Sequence, residues 1–368
     1  MAESEKPPSI SQPTEKNFRW RVAVLANIKD ESKPRPPDVP PDAYADYDSI
    51  STIQAIQAAI ETGGHETVFI EANQDLPYAL KDFQPDICFN IAEGLGGDAR
   101  EAQVPALLEL LKIPYTGSRV MTNAIALDKT LTKRIWRDRS LPVAPFQEFV
   151  TGDEPLRHGL EFPLFVKPAR EGTGMGVDLA ARVQTEAELR ERVRYVIEKY
   201  KQPALVETYL PGREFTVGQL GGPQARRFGR HPAWYGPDGF HHLPIMELES
   251  SRAVTPGIYG HDAKVKSIGE EGAPDYMCPA DLPPDLEKKL YHLALRAHQV
   301  LGAQDVSRVD FRLDAQGNPR LLEINPLPGL TPHYSDLCLQ AEAEGIAYED
   351  LILEILYLAG GRWGLLER

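Results

Sequence analysis

Two segments of alternating character, 306–314 and 319–325, meet across the turn Ala315-Gln316-Gly317-Asn318. Two such runs around a short glycine-bearing turn specify an antiparallel hairpin, which needs a larger sheet to bury its apolar face. Successive side chains on a strand point to opposite faces, so Arg308, Asp310 and Arg312 share one side. On the return strand Leu321, Glu323 and Asn325 are expected on one face, with Leu322 and Ile324 on the other. Pairing then gathers Asp310, Glu323 and Asn325 as three oxygen donors, a set suited to a hard cation such as Mg²⁺ resting on phosphates. The same pattern also describes a solvated sheet face with ordinary salt bridges.

The rest of the chain supplies that sheet and two more units. Residues 1–18 are polar and proline-bearing and are expected to form a disordered tail. The run 21–28 (RVAVLANI) reads as a buried strand, and five prolines in 33–43 demand a surface loop after it. Ile53, Ile56 and Ile60 mark a helix ended by Gly63-Gly64; strands at 67–71 and 86–91 and a helix bearing Val104, Leu107, Leu108 and Leu111 follow. This alternation predicts an open parallel α/β unit over 19–120. One helix is expected over 122–138. Strands at 145–150, 162–167 and 176–183 and a helix over 185–200 make a small α+β lobe, 121–206. The remaining 207–368 reads as a larger α+β lobe: strands at 204–209 and 214–220, a loop-rich stretch at 222–262, a helix carrying Leu286, Leu290 and Leu293, the hairpin, and an apolar helix near 347–359.

Composition narrows the partners. The 368 residues carry 40 Lys plus Arg against 54 Asp plus Glu, a net charge of −14. That balance disfavours nucleic acid and anionic membrane surfaces. The three cysteines, Cys88, Cys278 and Cys338, are far apart, which argues against a disulfide framework or a thiolate zinc site. No signal peptide or 18-residue apolar run appears, so a cytoplasmic location is expected. His241-His242 reads as a loop pair, not a metal site.

A second cluster, Lys167-Pro168-Ala169-Arg170-Glu171-Gly172-Thr173-Gly174-Met175-Gly176, places a lysine at a strand end before a loop of alternating glycines. Such backbone N–H groups can approach phosphate oxygens closely, although a plain flexible hairpin loop has the same composition. No G-x-x-x-x-G-K-[ST] occurs, so this is not a P-loop. Gly94-Leu95-Gly96-Gly97-Asp98-Ala99 mimics a dinucleotide fingerprint, but it does not follow the first strand and lacks the downstream acid.

Taken in order, these pieces resemble the ATP-grasp ligases, and within them the D-alanine–D-alanine ligase branch. The resemblance spans most of 86–357. It rests on Ile113-Pro114-Tyr115-Thr116-Gly117-Ser118, Ala126-Leu127-Asp128-Lys129, Val166-Lys167-Pro168 with its glycine loop, Val206 through Thr216, Asp262-Ala263-Lys264, and the hairpin through Asn325-Pro326-Leu327-Pro328-Gly329-Leu330-Thr331. It implies an ATP-grasp fold of three domains and an ATP-dependent ligase joining a small-molecule carboxylate to an amine through an acyl phosphate. Lys129, Lys167 and Lys264 would hold phosphates, with Thr173 and Gly174 in the closing loop. Glu207, Thr208, Tyr209 and Leu210 would meet the adenine, and Glu214 the ribose. Asp310, Glu323 and Asn325 would bind two Mg²⁺, with Mn²⁺ as an alternative. Arg308 and the Gly329 N–H would form an oxyanion hole. The resemblance also implies a homodimer through the N-terminal unit.

The departures concern the substrates. Where the branch anchors an amine with a glutamate, this chain has Tyr47-Asp48-Ser49, and Asp48 is either its substitute or an acid at a helix start. Glu93 replaces a histidine, Val265 replaces a lid tyrosine, and Thr173 replaces a serine. In Gly329-Leu330-Thr331-Pro332-His333-Tyr334-Ser335, Tyr334 stands where a serine holds the second substrate's carboxylate. Glu93, His333, Tyr334 and Ser335 are therefore the candidate substrate contacts, and these changes are expected to alter substrate choice.

Overall fold

The run 21–28 does become a strand buried on both faces. The computed structural model describes residues 19–29, 39–40, 42–249, 258, 260, 271 and 273–366. In it β1 (Arg21–Ala26) is the centre of a parallel sheet, flanked by β2 (Glu66–Glu71) and β3 (Ile87–Asn90) in the order β2-β1-β3. Val22, Val24 and Ala26 enter one core and Ala23 and Leu25 the other. Helices α2 (Leu76–Phe83) and α3 (Gln103–Leu111) cover the second face, while α1 (Ile50–Thr62), capped by the Ser49 hydroxyl, lies on the first.

The predicted single helix over 122–138 is two: α4 (Val120–Leu127) and α5 (Lys129–Asp138). Asp128 adopts an extended ψ of 98° between them, and its carboxylate accepts from the Leu131 N–H at 2.9 Å. It is an N-cap, which both breaks the run and makes Lys129 the first residue of a new helix. Trp136 of α5 is fully buried in the cluster that holds Phe215 and Phe311, so these helices pack with the large sheet described below.

The small sheet is antiparallel, β4-β7-β5-β6, built from β4 (Phe146–Phe149), β5 (Leu164–Pro168), β6 (Arg182–Val183) and β7 (Ala204–Thr208) and backed by α6 (Glu186–Tyr200). The strand expected at 176–183 shrinks to β6 because Asp178 caps a 3-10 turn, Leu179–Ala181, by accepting from the Ala180 N–H at 2.9 Å.

The large sheet runs β11-β10-β8-β12-β13 with β9 alongside β8. Its strands are β8 (Glu214–Gly221), β9 (Phe240–His242), β10 (Met246–Glu249), β11 (Asp275–Met277), β12 (Asp305–Leu313) and β13 (Pro319–Asn325). The stretch 222–262 therefore contributes two strands as well as the short α7 (Ala225–Phe228), and His241 and His242 lie on β9 and not in a loop. Helix α8 (Pro284–Leu301) backs this sheet, and α9 (Asp336–Ala343) and α10 (Tyr348–Arg362) follow the hairpin.

The last of these helices leaves its own sheet. Leu351, Ile352, Ile355 and Leu356 of α10 close the core over Ile53, Ile56 and Ile60 of α1 and the first face of β1. Gly360 lies under Trp20, where a Cβ would stand 2.5 Å from the indole, so the close approach requires glycine. Arg362 fixes the junction: its Nη2 is 2.7 Å from the buried Asp305 carboxylate and donates to the Gly117 carbonyl, while Asp305 also accepts from the Gly117 N–H at 2.8 Å. Removing one partner of a buried ion pair strands the other charge. Arg362→Met is expected to cost about 3 kcal/mol by that mechanism, read as a lowered urea midpoint with an unchanged slope.

Candidate active site

Between the small and large sheets lies a slot walled by Phe165, Met175, Ile258 and Leu322, with Thr208, Tyr209 and Leu210 along the strand that joins the two sheets. Glu214 stands at one side, 3.0 Å from Arg312, whose guanidinium also lies over the Tyr209 ring. Lys129 and Lys167 close the polar end. A flat apolar wall with cations at one end suits a nucleotide. The Thr208 hydroxyl, buried and without a hydrogen-bond partner among the described residues, is a polar atom left for a nucleobase edge or another ligand.

Beneath the slot Glu207 is buried between two lysines, with Lys133 Nζ and Lys167 Nζ each 2.9 Å from its carboxylate. Burial alone would raise the carboxyl's pKa, but the two ammonium groups outweigh it and hold it down at about 2. Lys133, fully buried, also donates to the Leu321 carbonyl at 2.9 Å. The sequence reading missed Lys133. Its signal was the spacing of four from Lys129, which puts both on one face of α5. The Glu207 carboxylate, expected at the adenine, is committed to these lysines. Lys264, a predicted phosphate ligand, and Val265 lie outside the described residues.

The hairpin carries the expected donors in a different register. A bulge follows Asp310: Asp310 pairs with Glu323, yet Phe311 pairs with Leu321. Leu322 is the extra residue and faces the slot beside Glu323, whereas Leu321 is fully buried with Phe311. The expected sharing of a face by Leu321 and Glu323 is thus corrected, because one inserted residue reverses the alternation. Asn325 donates to Asp310 at 3.1 Å, and Asp310 also accepts from the Thr216 hydroxyl at 2.7 Å. Glu323 is 3.2 Å from Lys129. Among the described residues no three acidic, histidine or cysteine side chains form a metal cage. Two carboxylates and an amide instead fit a divalent ion that completes its shell with phosphate oxygens and water.

Arg308 begins this row. Its guanidinium reaches Asp310 at 3.1 Å and Asp336, an acid not predicted, at 3.2 Å. It faces a second cavity of about 460 Å³ that also exposes Gly329, Tyr334 and Ser335. The Ser335 hydroxyl accepts from the Thr331 N–H at 3.0 Å and would stand 2.8 Å from any Cβ at position 329, so a side chain there would displace that hydroxyl. His333 does not join them. Its φ is +57° and its ring, 79% exposed, meets Glu342 on α9. That placement corrects its expected contact with substrate.

The cavity's far wall comes from the N-terminal unit. Asp48 is held by a backbone bridge to Ile28, its N–H donating to the Asn27 carbonyl at 3.0 Å. Ser49 performs the capping of α1, so Asp48 is not the helix cap and instead lines the cavity with Glu93, Glu101 and Thr173. Burial, with Asp46 adding, raises the Asp48 pKa to about 7; burial pushes Glu93 upward and brings Glu101 to about 7. Opposite, Gly174 lines the nucleotide slot, so the glycine loop bridges both cavities. The N-terminal unit grips that loop: Asp42 accepts from the Gly176 N–H at 2.8 Å, and Arg100 donates to the Arg170 carbonyl at 2.8 Å. A Cβ on Gly176, at φ +70°, would meet the Pro168 ring at 2.5 Å.

Two outcomes are expected. Lys133→Met removes one charge-assisted partner of Glu207 and should weaken adenosine nucleotide binding roughly tenfold by calorimetry. The second concerns pH. Asp48 titrates at about 7 when folded against 3.8 ordinarily, so between those values the folded chain holds a proton the unfolded chain has released. Stability therefore declines as pH rises through that window. Asp48→Asn should lose less melting temperature than the wild type between about pH 5 and 8, followed by scanning fluorimetry.

Comparison with known proteins agrees with this geometry. Residues 135–233 and 236–357 match the family model described as D-ala D-ala ligase C-terminus. The chain is 33% identical over 317 residues to the uncharacterized protein y4sG of Sinorhizobium fredii, covering 84% of this chain and 87% of that one. It is 32% identical over 310 residues to the D-alanine–D-alanine ligase of Methylococcus capsulatus, covering 84% of this chain and 90% of that one. In fold it matches the crystal structure of the Bacillus anthracis D-alanine–D-alanine ligase complexed with ATP at a TM-score of 0.69, with 22% identity, over 94% of this chain and 99% of that one. Among the described residues no helix is long and apolar enough to cross a membrane. The chain belongs to the D-alanine–D-alanine ligase family of the ATP-grasp fold and is an ATP-dependent, ADP-forming ligase that uses a divalent metal to join a small-molecule carboxylate and amine.

Proposed function

We propose that the chain forms a peptide or related amide bond between two amino acids, with D-alanyl-D-alanine the product its named relatives suggest. The observation that carries the reading is Arg308, held by Asp310 and Asp336 in the wall of the second cavity, which Gly329 also lines. ATP, when bound, supplies the phosphoryl group that turns the substrate carboxylate into an acyl phosphate, which the amine opens with release of phosphate and a proton.

The residues' parts follow from their chemistry. Lys129 and Lys167 neutralise phosphate oxygens, and Thr208, Tyr209, Leu210 and Glu214 seat the nucleoside. Asp310, Glu323 and Asn325 hold divalent ions, two Mg²⁺ or Mn²⁺, which spread charge during phosphoryl transfer. Arg308 and the Gly329 N–H stabilise the oxyanion formed when the amine adds to the acyl carbon. Thr173 and Gly174 close over the site and exclude water from the acyl phosphate. Asp48 and Glu93 take the first substrate's ammonium, and Tyr334 and Ser335 the second substrate's carboxylate.

Tyr334 in place of a serine and Glu93 in place of a histidine favour a second reading, in which the ligase joins a different amino acid pair. We also assign it to the cytoplasm as a homodimer. Leu110 of α3 and Met121 at the start of α4, 79% and 74% exposed on helices that pack together, support an apolar surface for a second copy at the edge of the N-terminal unit.

Arg308→Met distinguishes a ligase from a homologue that only binds ATP. Loss of an oxyanion donor should lower turnover by about 10²–10³ while nucleotide affinity persists. Wild-type protein with no turnover to lose would sink the catalytic reading.

A further inference from the structure

Arg308 is gripped from two separate elements. Its Nε and Nη2 donate to Asp310, two residues along β12, at 3.1 and 3.2 Å. Asp336, the first residue of α9, lies 3.2 Å from the remaining nitrogen, Nη1. An acid in the first turn of a helix also favours the helix dipole. Here its carboxylate is directed at a guanidinium, and both side chains are nearly buried.

The two acids differ in what else they hold. An ionised carboxylate accepts about four hydrogen bonds, two on each oxygen. Asp310 already has them all: Oδ1 takes the Thr216 hydroxyl and Arg308 Nε, while Oδ2 takes Arg308 Nη2 and the Asn325 amide. A divalent ion on the Asp310, Glu323 and Asn325 set therefore has to displace one of these donors. Asn325 belongs to that set. Thr216 is fully buried, and losing Asp310 would strand its hydroxyl. Arg308 is positively charged, and a second cation on the same carboxylate repels it. Arg308 is thus the donor that gives way.

We propose that Asp336 is a positioning residue, which keeps the Arg308 guanidinium in the cavity wall when a divalent ion claims Asp310. This role rests on the ligase reading of Arg308 and Asp310. Asp336 lies on α9, outside the hairpin that carries the metal donors, and lines the same cavity as Arg308 and Gly329. It therefore stays available as a counter-charge while Asp310 changes partner. Without its charge, Arg308 competes with the metal for Asp310 and is less firmly aimed at the developing oxyanion. The first consequence is read in metal affinity and the second in turnover.

The test closes a double-mutant cycle on the full chain, with wild type, Asp336→Asn, Arg308→Met and the double variant. Mn²⁺ binding is read from the electron paramagnetic resonance of the free ion, with the chain saturated by a non-hydrolysable ATP analogue. Phosphate release from ATP with Mg²⁺ and D-alanine is followed in parallel, and the melting temperature without metal checks folding. Asp336→Asn is expected to weaken Mn²⁺ binding and to lower kcat, each about tenfold, with KM for ATP little changed. In the Arg308→Met background the same substitution should alter neither, and Asp336→Glu in the wild type should restore part of both. Losses of equal size in the two backgrounds mean that Asp336 acts through α9 alone, and they overturn the proposal. So does Mn²⁺ affinity that Asp336→Asn leaves unchanged. The expected Mn²⁺ cycle in a wild type that releases no phosphate would keep the hold of Asp336 on Arg308 and sink the D-alanine ligase reading.

Discussion

The Glu207 carboxylate between Lys133 and Lys167 is the contact on which the site's architecture turns. Lys167 and Glu207 belong to neighbouring strands of the small sheet, while Lys133 lies on a helix packed against the large sheet and bonds the Leu321 carbonyl of β13. One buried carboxylate therefore ties both sheets at the base of the slot between them. Such a group is favourable only when fully partnered, because desolvation of each charge has to be offset by close opposite charges. Here both carboxylate oxygens meet an ammonium at 2.9 Å. The arrangement leaves the lysine-lined end of the slot preset.

The same economy recurs around the reaction centre. Lys129, Lys167 and Arg308 each lie against an acid of the chain, and the acids are those suited to a metal or close beside them. Without ligand, these pairs keep strong charges neutralised in a poorly solvated site. A phosphate and a divalent ion present the same two signs, so each member of a pair has a new partner ready without large rearrangement. Preorganisation of this kind places the cost of orienting dipoles and charges in folding, not in the chemical step. The N-terminal wall is built differently, since among the described residues its acids, Asp46, Asp48, Glu93 and Glu101, outnumber Lys29 and Arg100.

Much of this was legible from residue order. The hairpin, its donors and the glycine loop follow from alternation and from glycine spacing, and the β1 run was recognisable because a parallel strand buried on both faces is apolar throughout. What escaped notice depended on tertiary context. A single bulge at Leu322 reversed the expected faces of Leu321 and Leu322, and no local pattern marks one extra residue. Asp128 looked like an interior polar residue of a long helix, although aspartate before a lysine-rich turn is also a cap. β9 and β10 are only three and four residues long and lie among prolines and glycines. Lys133 and Glu101 matter because of what the fold brings opposite them. His333 shows the converse: its neighbours along the chain reach the cavity, but a left-handed backbone turns it away.

The return of α10 to the first sheet also bears on the order in which the molecule can acquire its structure. As the chain leaves the ribosome, β1, α1, β2 and β3 are made early, yet the face of β1 bearing Val22, Val24 and Ala26 stays half covered until residues 348–362 have been synthesised. Domains that complete their own core can fold as they emerge. This parallel sheet must wait, its apolar surface open to chaperones or to wrong neighbours, while both antiparallel sheets, whose clusters draw on residues 126–324, can form ahead of it. Residues 21–26 are thus made well before the helix that seals them.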